Sequence, residues 1–299
     1  MRRHRTTARG TLVSLLLAGL AAAAFASPSS GTPEHKGQQG NKVPQLVFPL
    51  VAKTNLWNNF GDPRGNGRHE GIDMENPWRA PVVAVEPGTV KYWESGLGGC
   101  MLYLYGVSGT TYMYIHLNND LTRRNDNRGG CKAGTAYAVP NGAKVAAGEQ
   151  VGFNGDSGDA AGNPHLHFEV HPGGGKAANP FPHLKRAVRP LFAARHGTPF
   201  SLGLRGKLLA AGGGTMTLEV ERVRHYPGGR WLEVEPRTVE LAVSGAASAG
   251  ATIAGVSAAR PRELKQPLAV TAFTVKAKTT PEAIVGAAGS LTASRVVSP

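Results

Sequence analysis

The sequence predicts a mainly β protein, in which an antiparallel β-sheet domain is followed by a small β-barrel or β-sandwich. The 40 glycines and 21 prolines among 299 residues favour turns and short strands over long helices. From Pro44 onward, short runs of β-forming residues are separated by glycine and proline, and from Gly203 onward apolar and polar residues alternate. The length is sufficient for two domains of ordinary size, each with its own core.

The first 26 residues are predicted to be a secretory signal peptide. An apolar run, Leu12–Phe25, is too short to span a membrane, and Ala24-Phe25-Ala26 predicts cleavage after Ala26. The run is preceded by the basic residues Arg2, Arg3, Arg5 and Arg9. We expect a soluble, secreted or cell-wall-associated protein, periplasmic if its source has an outer membrane, which meets the membrane only through this segment. An uncleaved membrane anchor is the alternative.

The formal net charge of the chain is +13, and removal of the four signal arginines leaves +9. Outside the cell, such a charge favours anionic surfaces, including cell-wall polymers rich in phosphate and carboxylate. Nucleic acid is not expected as a partner, because the cationic residues are dispersed and no nucleic-acid-binding motif occurs. A basic secreted protein whose charge has no specific partner is the alternative. We expect the protein to be monomeric.

The chain contains two cysteines, Cys100 and Cys131. In an exported protein an isolated pair favours a disulfide over two free thiols. Neither cysteine lies in a Cys-x-x-Cys arrangement, so the sequence gives no indication of a redox site or a thiolate zinc site.

The first predicted domain covers residues 44–184 and follows a flexible linker at 27–43 that is rich in Ser, Gly, Pro and Gln. Strands are predicted at Val82–Val85, Thr89–Trp93, Cys100–Val107, Thr110–Leu117, Lys144–Val145, Gln150–Phe153 and His165–Val170. Ser108-Gly109 predicts a hairpin turn, and on its second strand the period of two places Tyr112, Tyr114 and His116 on one face. Residues 118–141 are interpreted as a long excursion held by the disulfide.

The second predicted domain covers residues 203–299 and follows a basic linker at 185–202. Alternating runs predict strands at 216–221, 231–235, 238–243 and 268–275. These strands are typical of a small barrel or sandwich, and they indicate no role for the domain.

The segment His165-Leu166-His167 lies on a predicted strand. The strand period of two places both imidazoles on one face, about 6–7 Å apart, and turns Leu166, Phe168 and Val170 toward the core. Two surface histidines on an antiparallel strand would give the same pattern, so this pair alone leaves a metal site and a plain surface open.

A second candidate segment is His69-Glu70-Gly71-Ile72-Asp73. Gly71 and the nearby prolines disfavour a helix, so we expect a loop that runs into a strand, with Asp73 on the side of His69. A catalytic zinc ion needs three protein ligands and one open position, and it accepts imidazole nitrogen and carboxylate oxygen. By itself, Asp73 fits a turn or the surface equally well, so the prediction depends on the combination.

In these motifs the chain resembles the lysostaphin-like (LytM-type) zinc metallopeptidases, which cut peptidoglycan peptides. The resemblance spans about residues 46–184 and consists of several motifs in the same order. The matching segments are Phe60-Gly61 with Arg64, Arg68-His69-Glu70-Gly71-Ile72-Asp73, Pro81-Val82-Val83-Ala84-Val85 with Gly88-Thr89-Val90, Tyr114-Ile115-His116-Leu117, Val145 with Gly148-Glu149 and Val151-Gly152, and Pro164-His165-Leu166-His167-Phe168-Glu169-Val170.

The resemblance implies a secreted zinc endopeptidase that acts on peptidoglycan peptides. It assigns His69, Asp73 and His167 as zinc ligands and gives the catalytic histidine roles to His116 and His165. Two departures from the family pattern occur. Asn163 stands where the family often has Gly, and the loop between His116 and Val145 is longer than in minimal members, which leaves the shape of the substrate groove open but not the zinc site.

The expected chemistry is attack on a peptide carbonyl by hydroxide, which zinc generates near neutral pH. One of His116 and His165 would take the water proton, and the other would donate to the oxyanion; the sequence leaves their order open. Glu169 could orient His167 or be a plain surface carboxylate. Tyr112 and Tyr114 could line the groove, although packing explains Tyr112 equally well.

Two other functions fit parts of the sequence. A catalytically silent relative would bind wall or activate another hydrolase, but such proteins usually lack ligands that are present here. A lipoyl- or biotinyl-carrier barrel is suggested by the glycine and valine spacing at 145–152. The carrier interpretation lacks a lysine at a hairpin tip, and the predicted signal peptide also disfavours it.

Overall fold

The computed structural model describes residues 42–65, 67–244, 262–274 and 277–297. The predicted signal peptide and nearly all of the predicted linker at 27–43 lie outside these ranges. Within them, no helix combines the length and the apolar character needed to cross a membrane.

The first module contains every strand predicted for it, with bounds that shift by a few residues. The strands are β1 (Pro63–Arg64), β2 (Gly67–Arg68), β3 (Ile72–Glu75), β4 (Pro81–Val83), β5 (Gly88–Ser95), β6 (Gly99–Gly106), β7 (Thr111–Leu117), β8 (Lys144–Val145), β9 (Gln150–Phe153) and β10 (His165–His171). Single 3-10 turns occur at Gly158–Ala160 and Pro172–Gly174, and helix α1 (Phe181–Arg186) follows.

The core of this module packs around an antiparallel sheet. Among the described residues the sheet has six strands in the order β3-β10-β7-β6-β5-β8, and β4 pairs separately with β9. Phe48, Tyr114 and Phe168 are completely buried in one apolar cluster. The predicted mainly β, antiparallel fold is confirmed.

The pairing of β6 with β7 contains a bulge that turns His116. Cys100 pairs with Leu117, whereas Leu102 pairs with Tyr114, so β7 carries one extra residue between these pairs. His116 lies in this interval and has a left-handed backbone, with φ of 62°. The prediction that Tyr112, Tyr114 and His116 share a face is therefore wrong: both tyrosines are completely buried in the core, while His116 lines a surface cleft.

The second module is a closed barrel. Its strands and helix are β11 (Pro199–Phe200), β12 (Leu202–Gly212), β13 (Thr215–His225), β14 (Leu232–Val243), β15 (Arg262–Thr274), β16 (Ala277–Lys278), α2 (Pro281–Val285) and β17 (Thr292–Val297). The barrel order is β12-β13-β14-β17-β15, and its pairs are antiparallel except for β14 with β17. The runs predicted separately at 231–235 and 238–243 form one strand, β14.

The segment predicted as a linker, residues 185–202, is packed between the two modules. Leu191 and Phe192 are buried in the barrel cluster, together with Val51 and Val83 from the first module. Backbone hydrogen bonds join the modules as well, including one of 2.7 Å from Lys53 N–H to the carbonyl of Glu233. The segment is basic at its surface, but its apolar residues close a core that both modules share.

A disulfide joins Cys100 to Cys131, as the isolated cysteine pair predicts. It spans 31 positions in sequence and fixes the loop after β7 to strand β6. Cys100 itself is completely buried.

Replacing both Cys100 and Cys131 by alanine is expected to lower the free energy of unfolding by about 3–4 kcal/mol, because the cross-link restricts the unfolded chain. Denaturant titration of the double variant measures the loss, and the wild-type protein under reducing conditions should show a similar one. A loss of less than about 1 kcal/mol would mean that the unfolded loop is already compact.

Candidate metal centre

Strand β10 provides a face of polar side chains over an apolar core. Leu166, Phe168 and Val170 are completely buried, whereas His165 and His167 point the other way into a cleft. The predicted alternation of this strand is confirmed. The rigid strand therefore fixes the spacing of the two imidazoles.

His69, in the loop that leads into β3, and Asp73, on β3 itself, reach the same cleft. Ile72 and Met74 are buried, which turns Asp73 outward, and Asp73 pairs directly with His167 of β10. Gly71 lies so close that a Cβ there would be 2.6 Å from His167 Nε2. The loop-to-strand geometry expected from the sequence is observed, and no helix carries these residues.

Three side-chain atoms converge at this point. Asp73 Oδ1 lies 3.0 Å from His69 Nε2 and 2.9 Å from His167 Nδ1, and the two nitrogens are 3.0 Å apart. In the part of the chain that the structure describes, these residues form the one cluster of at least three His, Cys, Asp or Glu that could hold a metal ion.

The hydrogen bonds around the cluster fit a bound cation. His69 Nδ1 lies 2.7 Å from the carbonyl of Asn59 and must donate to it, so His69 Nε2 presents a lone pair. His167 Nε2 lies 2.8 Å from Glu169 Oε1 and donates there, so His167 Nδ1 also presents a lone pair. The lone pairs of two imidazole nitrogens and one carboxylate oxygen are therefore directed at one point. Two nitrogens and one oxygen are a set of ligand atoms that zinc accepts.

The electrostatics of the cluster also favour a positive charge. Burial acts to raise the pKa of Asp73, but the hydrogen bonds with His167 and His69 outweigh it and hold that pKa well below its usual range. Burial acts to lower the pKa of His167, but its hydrogen bonds with Asp73 and Glu169 raise it to about 9. A proton bound there takes the place that a metal cation would fill.

Asn59 and Arg64 hold the carboxylate of Asp73 in place. Arg64 donates to Asp73 Oδ2 over 2.6 Å, and the side-chain amide of Asn59 contacts the same oxygen at 3.3 Å. The side chain of Asn59 also accepts from the backbone N–H of Asp73. Oδ2 is thus occupied and Oδ1 is left for the cluster. The sequence indicates no role for Asn59, because its contacts depend on how the loop folds back.

Glu169 connects His167 to a further histidine, His171. Glu169 Oε2 lies 2.6 Å from His171 Nε2, and His171 Nδ1 lies 2.8 Å from the carbonyl of Gly175. Strand β10 extends to His171 and buries it. Burial acts to raise the pKa of Glu169, but the hydrogen bonds with His167 and His171 lower it to about 2. Of the two roles considered for Glu169, orientation of His167 is the one observed.

Replacing Glu169 by glutamine is expected to weaken metal binding by about 10–100-fold, because the carboxylate orients His167 and increases its basicity. Competition with a metal-binding dye measures this affinity. Glu94→Gln, at an exposed position of β5, removes the same charge and should leave the affinity unchanged. An unchanged affinity in the Glu169→Gln variant would show that Glu169 does not orient the ligand.

His116 and His165 lie beside the cluster, outside the converging set. Their ring centroids are 4.9 Å apart, and His165 Nε2 is 3.7 Å from Asp73 Oδ1. His116 Nδ1 lies 2.8 Å from the carbonyl of Ser157, and His165 Nδ1 lies 2.8 Å from that of Asn163. Each Nδ1 therefore donates to a backbone oxygen, which leaves both Nε2 atoms free for the cleft. Burial lowers the pKa of His116 to about 4, so its ring is neutral at pH 7.

The cleft above the cluster has a volume of about 1000 Å³. Its walls include apolar side chains, among them Trp57, Leu97 and Ile115, and charged ones such as Arg68 and Asp159. An open cleft of mixed polarity can hold an extended chain over the cluster.

The two tyrosines considered for the groove wall do not line it. Tyr112 and Tyr114 are fully buried, and both pack against the ring of Phe168. The hydroxyl of Tyr114 accepts a hydrogen bond of 3.0 Å from the backbone of Val85. Packing explains both residues.

Part of the chain is similar to one curated metalloprotease. The chain is 31% identical over 141 residues to an uncharacterized metalloprotease of Haemophilus influenzae, across 44% of this chain and 26% of that protein. The chain thus spans about a quarter of the length of the curated relative it matches. No protein-family model matches the chain.

Two solved structures are similar to about half of the chain. The catalytic domain of the antimicrobial peptidase lysostaphin from Staphylococcus simulans shares 26% identity over 45% of this chain and 92% of that one, with a TM-score of 0.35. A zinc-containing peptidase from Vibrio cholerae shares 21% identity over 47% of this chain and 40% of that one, with a TM-score of 0.36. The similarity to a metalloprotease agrees with the metallopeptidase resemblance that the motifs predict.

Proposed function

We propose that this protein is a zinc-dependent endopeptidase that is exported and hydrolyses peptide bonds in peptidoglycan. The observation that carries the proposal is the convergence of His69 Nε2, Asp73 Oδ1 and His167 Nδ1 within about 3 Å of one another. Two further histidines with free Nε2 atoms lie beside them in an open cleft. This convergence disfavours the alternative of a catalytically silent wall-binding protein, because such a protein would lack part of the ligand set.

His69, Asp73 and His167 are the residues that would hold the zinc ion. When bound, zinc acidifies water and polarises a carbonyl oxygen, which is the activation that peptide hydrolysis needs. Asn59, Arg64 and Glu169 keep the three ligands oriented through the hydrogen bonds described above. Such contacts fix the orientation of metal ligands and tune their affinity.

His116 and His165 supply the proton-transfer groups. A neutral His116 can accept a proton at Nε2, and Asp159 Oδ1, 3.8 Å from that nitrogen, would stabilise the resulting charge. His165 Nε2 lies on the Asp73 side of the cleft, where a protonated ring can donate to the oxygen of a substrate carbonyl as it gains charge. Both rings are kept in one tautomer by their Nδ1 hydrogen bonds.

Peptidoglycan is proposed as the substrate on the basis of three features. The motifs around the cluster resemble those of enzymes that cut wall peptides. The predicted signal peptide directs the chain to the compartment where peptidoglycan lies. The net charge, +13 for the whole chain and +9 without the four signal arginines, favours an anionic surface over a neutral one.

Mass spectrometry of purified peptidoglycan after digestion tests the proposal, because it reports activity and the bond cut together. New amino and carboxyl ends within stem peptides or cross-bridges are expected, and their release should stop when the metal is chelated and resume with added zinc. Digestion that yields only cleaved glycan strands, or none with the zinc-loaded protein, would contradict the proposal.

A further inference from the structure

The outer surface of the barrel carries a transverse row of residues from four adjacent strands. Gly203 of β12 pairs with Arg224 of β13 on one side and with Phe273 of β15 on the other, and Phe273 pairs with Arg295 of β17. At the usual strand spacing, the two arginines are separated by roughly 14 Å. Arg205 lies two residues beyond Gly203 on the same face of β12.

Aromatic rings hold these arginines in place. The guanidinium groups of Arg205 and Arg224 lie over the ring of Trp231, 4.7 Å and 4.6 Å from its centroid, and that of Arg295 lies 4.5 Å from the centroid of Phe273. The lack of a side chain at Gly203 makes room for Trp231, since a Cβ there would lie 3.1 Å from the indole. Stacking of this kind orders a guanidinium group while its N–H donors stay directed outward.

We term Arg205, Arg224 and Arg295 together the arginine row. Among the described side chains none of the three forms an ion pair with a carboxylate, although nearby Arg222 is paired with Glu233 at 2.7 Å. Arg205 and Arg295 are exposed, and Arg224 is half-buried. The row is therefore an ordered, uncompensated positive surface.

We infer that the arginine row binds a cell-wall polymer with repeating phosphodiester groups and thereby attaches the enzyme to its substrate. Guanidinium groups bind phosphate oxygens through paired, charge-assisted hydrogen bonds, and an ordered guanidinium loses little entropy when it does so. Three such groups on a rigid barrel can engage successive phosphates of one chain. The inference rests on the proposed function only in locating the protein at the wall.

The same surface is poorly suited to nucleic acid. Proteins that bind single strands without sequence preference stack bases on exposed aromatic faces. Here arginines cover Trp231 and Phe273, and Phe273 also packs against Tyr226 with ring centroids 4.7 Å apart. Recognition must then rely on charge and on hydrogen bonds to phosphate, which a polymer of phosphodiester-linked sugars or polyols provides.

Sedimentation of the full chain with purified bacterial walls tests the inference. Two wall preparations are used, one with its phosphodiester polymers intact and one stripped of them by hydrofluoric acid. Wild-type protein should sediment with the intact walls and much less with the stripped walls. The triple variant Arg205→Gln, Arg224→Gln and Arg295→Gln should bind intact walls about tenfold more weakly. The loss is modest because each exposed charge contact increases the binding affinity by only a small factor.

The matched control replaces three exposed cationic residues of the first module by glutamine, namely Arg128, Lys144 and Lys176. It has the same net charge as the triple variant and should bind within about twofold of wild type, if ordered arginines matter more than overall charge. Unchanged thermal unfolding shows that the variants fold. If the triple variant does not fold, Arg295→Gln alone should still weaken binding measurably.

Three outcomes would overturn the inference. These are wild-type binding by the triple variant, equal binding to intact and stripped walls, and equally tight, row-dependent binding of duplex DNA. The assay counts bound protein and not broken peptide bonds. Failure of the proposed peptidase activity would therefore leave this result readable on its own.

Discussion

Replacing His69 by alanine is expected to remove both the bound metal and the peptidase activity. His69 Nε2 is one of three converging donor atoms, and its loss leaves only Asp73 and His167 to hold the ion. A catalytic zinc site needs three protein ligands, so occupancy should fall below detection in dialysed protein. Activity on peptidoglycan should fall by at least about 10³-fold. Elemental analysis and peptide hydrolysis are measured on the same sample.

His196→Ala is the matched control, because it also removes an imidazole, but from an exposed position outside the cleft. It should keep full zinc content and full activity. If the His69→Ala variant digested walls at the wild-type rate without zinc, the proposed metal mechanism would be refuted. If it kept zinc but lost activity, His69 would have another role.

Replacing His116 by alanine should give the complementary result: zinc stays bound and activity falls by about 10²–10⁴-fold, the usual contribution of a positioned proton-transfer group. The ring centroid of His116 is 6.2 Å from that of His167, and its Nε2 is not part of the converging set. Zinc content and kcat on a soluble peptide separate the two effects.

The backbone at His116 calls for a second variant. Its φ of 62° lies in the left-handed region, which asparagine tolerates better than alanine. His116→Asn should therefore fold like wild type and lose activity to a similar degree. Loss of zinc in this variant would make His116 a ligand, and wild-type activity would exclude a role in proton transfer.

The convergence of His69, Asp73 and His167 follows in part from local rules. On β10, alternation separates His165 and His167 from the buried Leu166 and Phe168, and the strand keeps that period throughout. The same alternation places His171, two residues beyond Glu169, on the same face of β10 as His167 and Glu169.

The position of His116 could not be predicted in this way. The bulge depends on how β7 aligns with β6, and nothing within β7 itself shows that one residue is extra. A single inserted residue reverses which face a side chain occupies. The resemblance to a family identified His116, whereas the strand period placed it with the wrong neighbours.

Long-range contacts account for the other differences. Asn59 orients His69 and Asp73 through hydrogen bonds that form only when its loop folds against them. No local sequence pattern predicts such a tertiary contact. Barrel closure depends on β17, which pairs with both β14 and β15. No alternating run predicts a strand at residues 292–297, so the sequence pattern fits a barrel and a sandwich equally well.

The core shared by the two modules sets a fixed reach for the enzyme. Val51 and Val83 pack with Leu191 and Phe192 in one buried cluster, which holds the barrel against the module that carries the cleft. An enzyme on a flexible tether can search a volume around its anchor. If the arginine row attaches the proposed peptidase to the wall, the cleft has one working radius and can reach only bonds at that distance. New bonds come within range only after release and rebinding, so tighter attachment would slow digestion of an intact wall.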